Sequence, residues 1–463
     1  MSNGTAVDAG RLAEDHPLEL GSDLPYQLPP FARITPEHCR EALLVGMVQH
    51  RAELAAITAR TEPPTFENTV LALEIAGDLL TRAWGVFGNL AASVSSPRLR
   101  EIEREIAPLE AAHSDAMLLD PALFARVDAV HAARHELGLD AESVRLVERY
   151  HLDFVLAGAR LDAAGRAMLT ELNQELSALS TTFGQNLQLA TEAAAVRVDD
   201  AAELDGLGAE EIAAAATAAA ERGLEGYLVP LRLPTHQPVL EKLRNRDLRR
   251  RVFEASVGRA SAGEHDNRPI ATRIAVLRAE RARLLGFDAH AAVVLADQTA
   301  RTTAAVDATL ATMVPAARAN AEAEAAVLRE LAVRDGVELA PWDWAFYSEQ
   351  VRAERYAVDA AALRPYFELG RVLNDGVFYA ASVLYGYSFR LRQDLRGYHP
   401  DVRIWEVVDA DDEPVGLYLG DFYAREGKRG GAWMNSFVTQ SSMNETHAVV
   451  VNNLNISRPA GHQ

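Results

Sequence analysis

The stretch Gly420–Val438, GDFYAREGKRGGAWMNSFV, departs from the pattern of the chain around it. Most of the sequence is alanine-rich with apolar residues at helical spacing, whereas this stretch has glycine at 420, 427, 430 and 431 and no helical period. Gly430 and Gly431 carry no side chain, so a second backbone can come close, and the following AWMNSF is extended enough to present a row of peptide donors and acceptors. Two readings fit these residues. An exposed edge of this kind captures an extended peptide by strand addition. A glycine bulge that ends a hairpin, with Trp433 in the core, is the alternative, and spacing alone slightly favours it. Gly430, Gly431, Ala432 and Trp433 are the candidate binding residues on the first reading.

The flanks of the stretch read as sheet. VRIWEVVD and PVGLYLGDFY alternate apolar and polar residues around the acidic turn ADDE, the signature of a hairpin, and THAVVVNNLNI is a further strand. Upstream, helices dominate. Thr35-Pro36-Glu37 combines a capping hydroxyl, a proline where no amide hydrogen is needed and a carboxylate at the positive end of the helix dipole. Phe66, Val70, Leu73 and Leu80 share one helical face after Pro63-Pro64, and Ile270, Ile274, Leu277 and Leu284 share another that Gly286 ends. AAAVRVDD (193–200) and GYLVPLRLP (226–234) predict two short strands enclosing an alanine helix over 210–222. The expected organisation is a flexible arm over 1–30, an N-terminal helical region over 31–190, a helical region with a small strand insertion over 191–397, and a β-rich part over 398–463.

The composition narrows the function. Asp and Glu outnumber Lys and Arg by 66 to 46, a formal charge of −20, which repels phosphate backbones and anionic lipid heads. Nucleic acid and membrane are therefore not expected partners. The single cysteine, Cys39, makes an internal disulfide impossible. The acidic N-terminus lacks the features of a signal peptide, so the expected compartment is the cytoplasm.

Known catalytic motifs are mostly missing from the sequence. H-E-x-x-H, which sets two imidazoles and a general-base glutamate around zinc, is absent. His131 and His135 have helical i, i+4 spacing and Glu136 follows, but Leu139 stands where the next histidine would be. No G-x-S-x-G elbow and no phosphate loop occur, and nothing beside Cys39 suggests a reactive thiolate. The arginine-rich RNRDLRRRVFE (244–254) reads as a solvated or ion-paired helix face. His399 and His447 lie in strand-rich sequence, where each either orients a substrate or serves the structure. Of the two, His399 is kept as a candidate substrate-binding residue.

Six stretches resemble the M3 metallopeptidases: PPTFENTVLALE, DNRPIATRIAVLRAERARLLGF, PWDWAFYSEQVR, RPYFELGRVLNDGVFYAASVLYG, YHPDVRIWEV and GDFYAREGKRGGAWMNSFVTQS. They occur in family order between about residues 31 and 455. PWDWAFYSEQVR and the YFELGRVLNDGVFYAA run favour the peptidyl-dipeptidase branch over the related oligopeptidase A branch. The resemblance implies a mainly α fold, a helical two-lobed ellipsoid with a small β-sheet near the C-terminus. It also implies a zinc-dependent enzyme that removes C-terminal dipeptides from short unfolded peptides, and it moves strand-edge binding ahead of the structural reading of the glycines. The family's H-E-x-G-H helix and its further glutamate ligand have no counterpart up to Gln463. The expectation is thus a C-terminally truncated chain that holds neither zinc nor catalytic residues. A non-catalytic peptide-binding or scaffold paralogue and an oligopeptidase A-like endopeptidase are the alternatives. The oligomeric state is not read from the sequence.

Overall fold

The computed structural model describes residues 10–231, 233–356 and 360–458. The first nine residues of the expected arm and the segment 459–463 lie outside this set. The described chain is mainly helical with two small sheets. The capping signals act as read. Thr35 Oγ1 accepts the His38 amide at 3.2 Å at the start of the helix Pro36–Thr58, and this satisfies one of the orphan donors of the first turn. Thr65 does the same for Asn68 at 3.1 Å. The apolar face that starts at Phe66 is not on one straight helix, however. A π-turn over Phe66–Leu71 leads into Ala72–Ile75, and Gly77 in the left-handed region separates these from the helix Asp78–Ser93.

The expected pair of short strands is present. β1 (Val196–Val198) pairs antiparallel with β2 (Tyr227–Val229), and the helix Ala209–Ala220 lies between them in sequence.

The second sheet comprises β3 (Ser388–Leu391), β4 (Arg403–Val408), β5 (Pro414–Tyr423), β6 (Trp433–Val438) and β7 (Ala448–Ile456), in the spatial order β3-β4-β5-β7-β6. β4 and β5 form the hairpin read from the alternation. β7 then lies parallel to β5, with Leu417 opposite Val449 and Leu419 opposite Val451. β6 is thereby displaced to the end of the sheet, antiparallel to β7, with Trp433 opposite Asn453.

Alternation along the strands gives each face its own core. Ile404, Leu417, Leu419, Val449, Val451 and Phe437 face the same cluster as Leu43, Val86, Phe87, Ile102 and Ile106 of the N-terminal helices. Trp405 and Phe422 join Leu373 and Phe378 in a second cluster, with Tyr418 and Leu454 packed against it. The arm contributes to the first cluster. Leu12, Leu18 and Leu28 are buried there, and Arg82 donates to the Leu18 and Glu19 carbonyls at 3.2 and 3.1 Å. From Gly10 onward the expected loose arm is therefore packed through three of its five leucines, which offset its ordering by leaving water.

Candidate functional site

The glycine-rich stretch has an anchored base and an open tip. At the base, Asp421 is fully buried on β5. Arg425 grips its carboxylate with two bonds of 2.7 Å, Lys428 Nζ donates at 2.8 Å, and Tyr398 OH donates at 2.6 Å. Burial alone would raise the Asp421 carboxyl. The hydrogen bonds from Arg425, Lys428 and Tyr398 outweigh it and hold the group below the usual carboxylate value. Burial lowers the Lys428 ammonium, and Asp421 opposes that shift. Lys428 Nζ also donates to the Asp421 and Tyr423 carbonyls at 2.9 and 3.0 Å, which ties the loop to the strand it leaves.

The same loop is stitched to the N-terminal helices. Ser95 N donates to Gly427 O at 2.9 Å and Arg429 N to Ala92 O at 2.8 Å. Gly427 has φ +74°, and a Cβ there would lie 2.6 Å from the Ser95 carbonyl oxygen, so glycine is required on both counts.

Past Arg429 the chain is exposed. A Cβ at Gly430 or Gly431 would meet nothing within 4 Å, and Gly431 adopts φ +89°. Asn455 of β7 fixes this turn from below: its Nδ2 donates to the carbonyls of Arg429 and Gly431 at 2.8 and 2.6 Å. Gly431 and Ala432 then line an open cleft of about 630 Å³ with Arg364, Leu454, Asn455, Ile456 and Ser457. β6 leaves from this cleft. Among the described residues it pairs only with β7, so its outer edge faces no strand. Towards its end the helix Asp78–Ser93 comes close, since a Cβ at Gly85 would lie 3.3 Å from the Ser436 and Phe437 carbonyl oxygens.

Trp433 is half-buried at the start of β6. Asn453 is fully buried beside it. With the Asn453 amide nitrogen turned towards the Asp421 carboxylate (3.2 Å) and Ser93 Oγ (3.0 Å), its oxygen accepts the Trp433 indole N–H at 3.2 Å. The opposite orientation would set the Asn453 oxygen against the Asp421 carboxylate and its amide nitrogen against the Trp433 indole N–H. Trp433 therefore spends its donor inside the protein and offers a ligand only its ring.

His399 lies in the loop that leads into β4. It is not among the residues that line the cleft. Its Nδ1 accepts the Asp401 amide at 3.2 Å, and burial, followed by the Arg425 cation, lowers its pKa. His447 meets the Tyr26 ring edge-on at 5.7 Å between centroids. His131 stacks on His151 at 3.8 Å. Cys39 is fully buried, and burial pushes its thiol up to about 12, so it is protonated at neutral pH. In the arginine-rich helix, Arg246 and Arg249 both bind the buried carboxylate of Asp343, an ion-paired face as read. Reasoning from the sequence missed Arg364 and Asn455. Asn455 carried a partial signal, as one of three asparagines (452, 453 and 455) that follow the apolar run Ala448–Val451 in β7, whereas nothing marked Arg364 among the other basic residues.

A zinc ion needs three or four converging ligands. Among the described residues no group of three or more His, Cys, Asp or Glu side chains is arranged to hold one. The described residues do not fit the ion that the resemblance implies, and no chemical step is assigned to it here.

A mainly helical chain whose small sheet presents a free edge beside a cleft fits the class expected from its motifs. The chain belongs to peptidase family M3, whose family model, Peptidase family M3, matches residues 239–463. It is similar to two enzymes named dipeptidyl carboxypeptidase. One is from Escherichia coli, 44% identical over 449 residues, and the other from Salmonella typhimurium, 45% identical over 452 residues. These alignments cover 96% and 97% of the chain and 66% of each relative. Oligopeptidase A of Escherichia coli is 34% identical over 423 residues, with 90% of the chain and 62% of the relative covered. The chain thus spans about two thirds of the length of these relatives. No helix among the described residues is long and apolar enough to cross a membrane.

Proposed function

We propose that this chain carries the peptide-docking part of a peptidyl-dipeptidase-type M3 peptidase, which removes C-terminal dipeptides from short unfolded peptides. The observation that carries the reading is the free edge of β6, which opens through an uncrowded glycine turn onto a cleft. Backbone donors and acceptors along such an edge bind an extended peptide whatever its sequence, which suits an enzyme acting on short peptides. The identities of 44–45% to dipeptidyl carboxypeptidases against 34% to oligopeptidase A favour the dipeptidase branch.

Each group has a defined part in docking. Gly430, Gly431 and Ala432 leave room for the incoming backbone, Trp433 gives its ring as a wall, and Asn455 holds the turn. The base built on Asp421 keeps the edge in place, so binding does not have to order it. His399 is kept as a candidate for orienting the substrate. We place the protein in the cytoplasm, since neither a disulfide nor a membrane contact is part of this reading. Zinc is the family's metal. On this reading its ligands come from outside the described residues, and the 463-residue chain alone neither retains the ion nor cleaves peptides.

The test uses Gly430→Val, because the turn at 430 is not left-handed and has space for a side chain, whereas Gly431 would be strained by valine. Calorimetric binding of an N-acetylated tetrapeptide should weaken about tenfold, the equivalent of one or two lost strand hydrogen bonds, while the melting temperature holds. Unchanged binding would remove the edge from the mechanism. Dialysis against zinc followed by metal analysis and a dipeptide-release assay tests the second part. Stoichiometric zinc with chelator-sensitive cleavage that survives in the His131→Ala, His135→Ala variant would overturn it.

A further inference from the structure

The helix Thr303–Arg334 is 32 residues long, and its buried residues all lie in its last third. Its main neighbours among the described residues are the helices His290–Leu295 and Trp344–Tyr356. Ala325, Leu328 and Ala332 are buried, and Leu328 and Ala332 share a cluster with Tyr347. Back along the helix from Ala325, in steps of three and four, the same face carries Ala321, Ala317, Val314, Met313 and Leu310. All five are exposed, Leu310 by 50%, Met313 by 62% and Val314 by 54%. One apolar stripe thus begins in water and ends in a core.

A helix in a folded protein draws most of its stability from burying such a face. The uncovered part from Leu310 to Ala321 is about 17 Å long at 1.5 Å per residue, room for three turns of a facing helix. Ala317 and Ala321 let that helix approach closely. A second helix is uncovered in a similar way. Tyr379–Tyr385, YAASVLY, has no buried residue, and Tyr379, Val383, Leu384 and Tyr385 are 64% to 71% exposed. A helix apolar on every side belongs in an interior.

Both helices lie within the residues matched by the family model, 239–463. The alignment with the Escherichia coli dipeptidyl carboxypeptidase takes up 96% of this chain but 66% of that relative, so about a third of the relative, a domain-sized piece, has almost no sequence here left to match it. We propose that the exposed stripe of Thr303–Arg334 is a docking surface for that remaining third of the M3 relatives, which lays an amphipathic helix along it, and that the two pieces associate even when made as separate chains. The uncovered helix Tyr379–Tyr385 calls for a partner of that size rather than a lone peptide helix. A second copy of this chain fits less well, because it would bring two bodies of net charge −20 together. The surface is distinct from the edge of β6, and the inference does not rest on peptide docking there.

The experiment co-expresses the tagged 463-residue chain with the part of the Escherichia coli relative outside the alignment, and reads co-purification and the mass of the complex by light scattering. A complex with one copy of each is expected, with slower amide exchange over Leu310–Ala321 than in the chain alone. Met313→Asp should weaken the complex about 10- to 100-fold, the equivalent of one large apolar side chain kept out of an apolar interface. Val333→Asp, at a position 71% exposed but off the stripe, should leave it intact. Met313 faces water in the chain alone, so its variant should melt with the unmodified chain, which separates a lost surface from a lost fold. No complex, or one that the two variants weaken alike, would overturn the inference. So would a dimer of the chain alone that Met313→Asp disperses, since a second copy would then occupy the stripe. None of these readouts involves a peptide, so the docking reading at β6 stands or falls separately.

Discussion

Replacing Asp421 by asparagine should destabilise the protein by about 3–5 kcal/mol, the usual cost of leaving a buried cation without its partner. The magnitude follows from what surrounds the carboxylate. The Lys428 side chain and that of Asp421 are both fully buried, and Arg425 is only 14% exposed. Two cations thus converge on one anion, with Tyr398 OH as a further donor. Asparagine keeps the shape and one acceptor but removes the charge, and Lys428 cannot reach water without unmaking its bonds to the Asp421 and Tyr423 carbonyls. Urea unfolding followed by tryptophan fluorescence measures the loss. Adding Lys428→Met to Asp421→Asn should restore part of it, because the stranded charge goes with the substitution. A loss below about 1 kcal/mol, or no recovery in the double variant, would refute the view that the loop is anchored electrostatically.

Acid should destabilise the fold through buried His113 and half-buried His50, whose ring nitrogens lie 2.9 Å apart. Burial, then the neighbouring His50 and Arg51, lower His113 from 6.5 to about 4, so between these pH values the unfolded chain binds the proton that the fold refuses. Stability should be level above about pH 6.5 and fall by up to ~3 kcal/mol towards pH 4; a urea series on His113→Gln should show a shallower slope, and an unchanged slope would count against the assignment. Gly427→Ala should cost more than Gly431→Ala. The second bears only the left-handed backbone penalty of about 1 kcal/mol, whereas the first adds a contact of 2.6 Å with the Ser95 carbonyl oxygen, and equal melting shifts would show that the loop is not held against the helices.

What could be read from the sequence was what local chemistry determines. The Thr35 cap, the β4–β5 hairpin around its acidic turn and the short β1–β2 pair depend on residues close together in the chain, and each formed. The placement of β7 between β5 and β6 is a non-local pairing, and strand alternation says which face is buried but not which neighbour is chosen. β3 escaped notice because Ser388–Leu391 is short and mostly exposed, which leaves little alternation to read. The arm was read as loose from its polar and proline content, while the burial of Leu12, Leu18 and Leu28 depends on a cavity formed by distant helices. At the site, Gly430, Gly431 and Ala432 stood out through composition, and the structure brings Gly431 and Ala432 to one cleft. Arg364 reaches that cleft from a segment 67 positions before Gly431, a proximity that only folding creates. His399 is not among the residues that line the cleft, and its Nδ1 accepts the Asp401 amide.

The central claim is that β6 receives a peptide along its free edge. Amide hydrogen exchange, read residue by residue with and without a saturating N-acetylated tetrapeptide, tests it most directly. The account predicts added protection at Gly431, Ala432 and the outward-facing amides of Trp433–Asn435, with β3, at the opposite end of the sheet, unchanged. Protection that appears elsewhere while β6 exchanges at its free rate would contradict it.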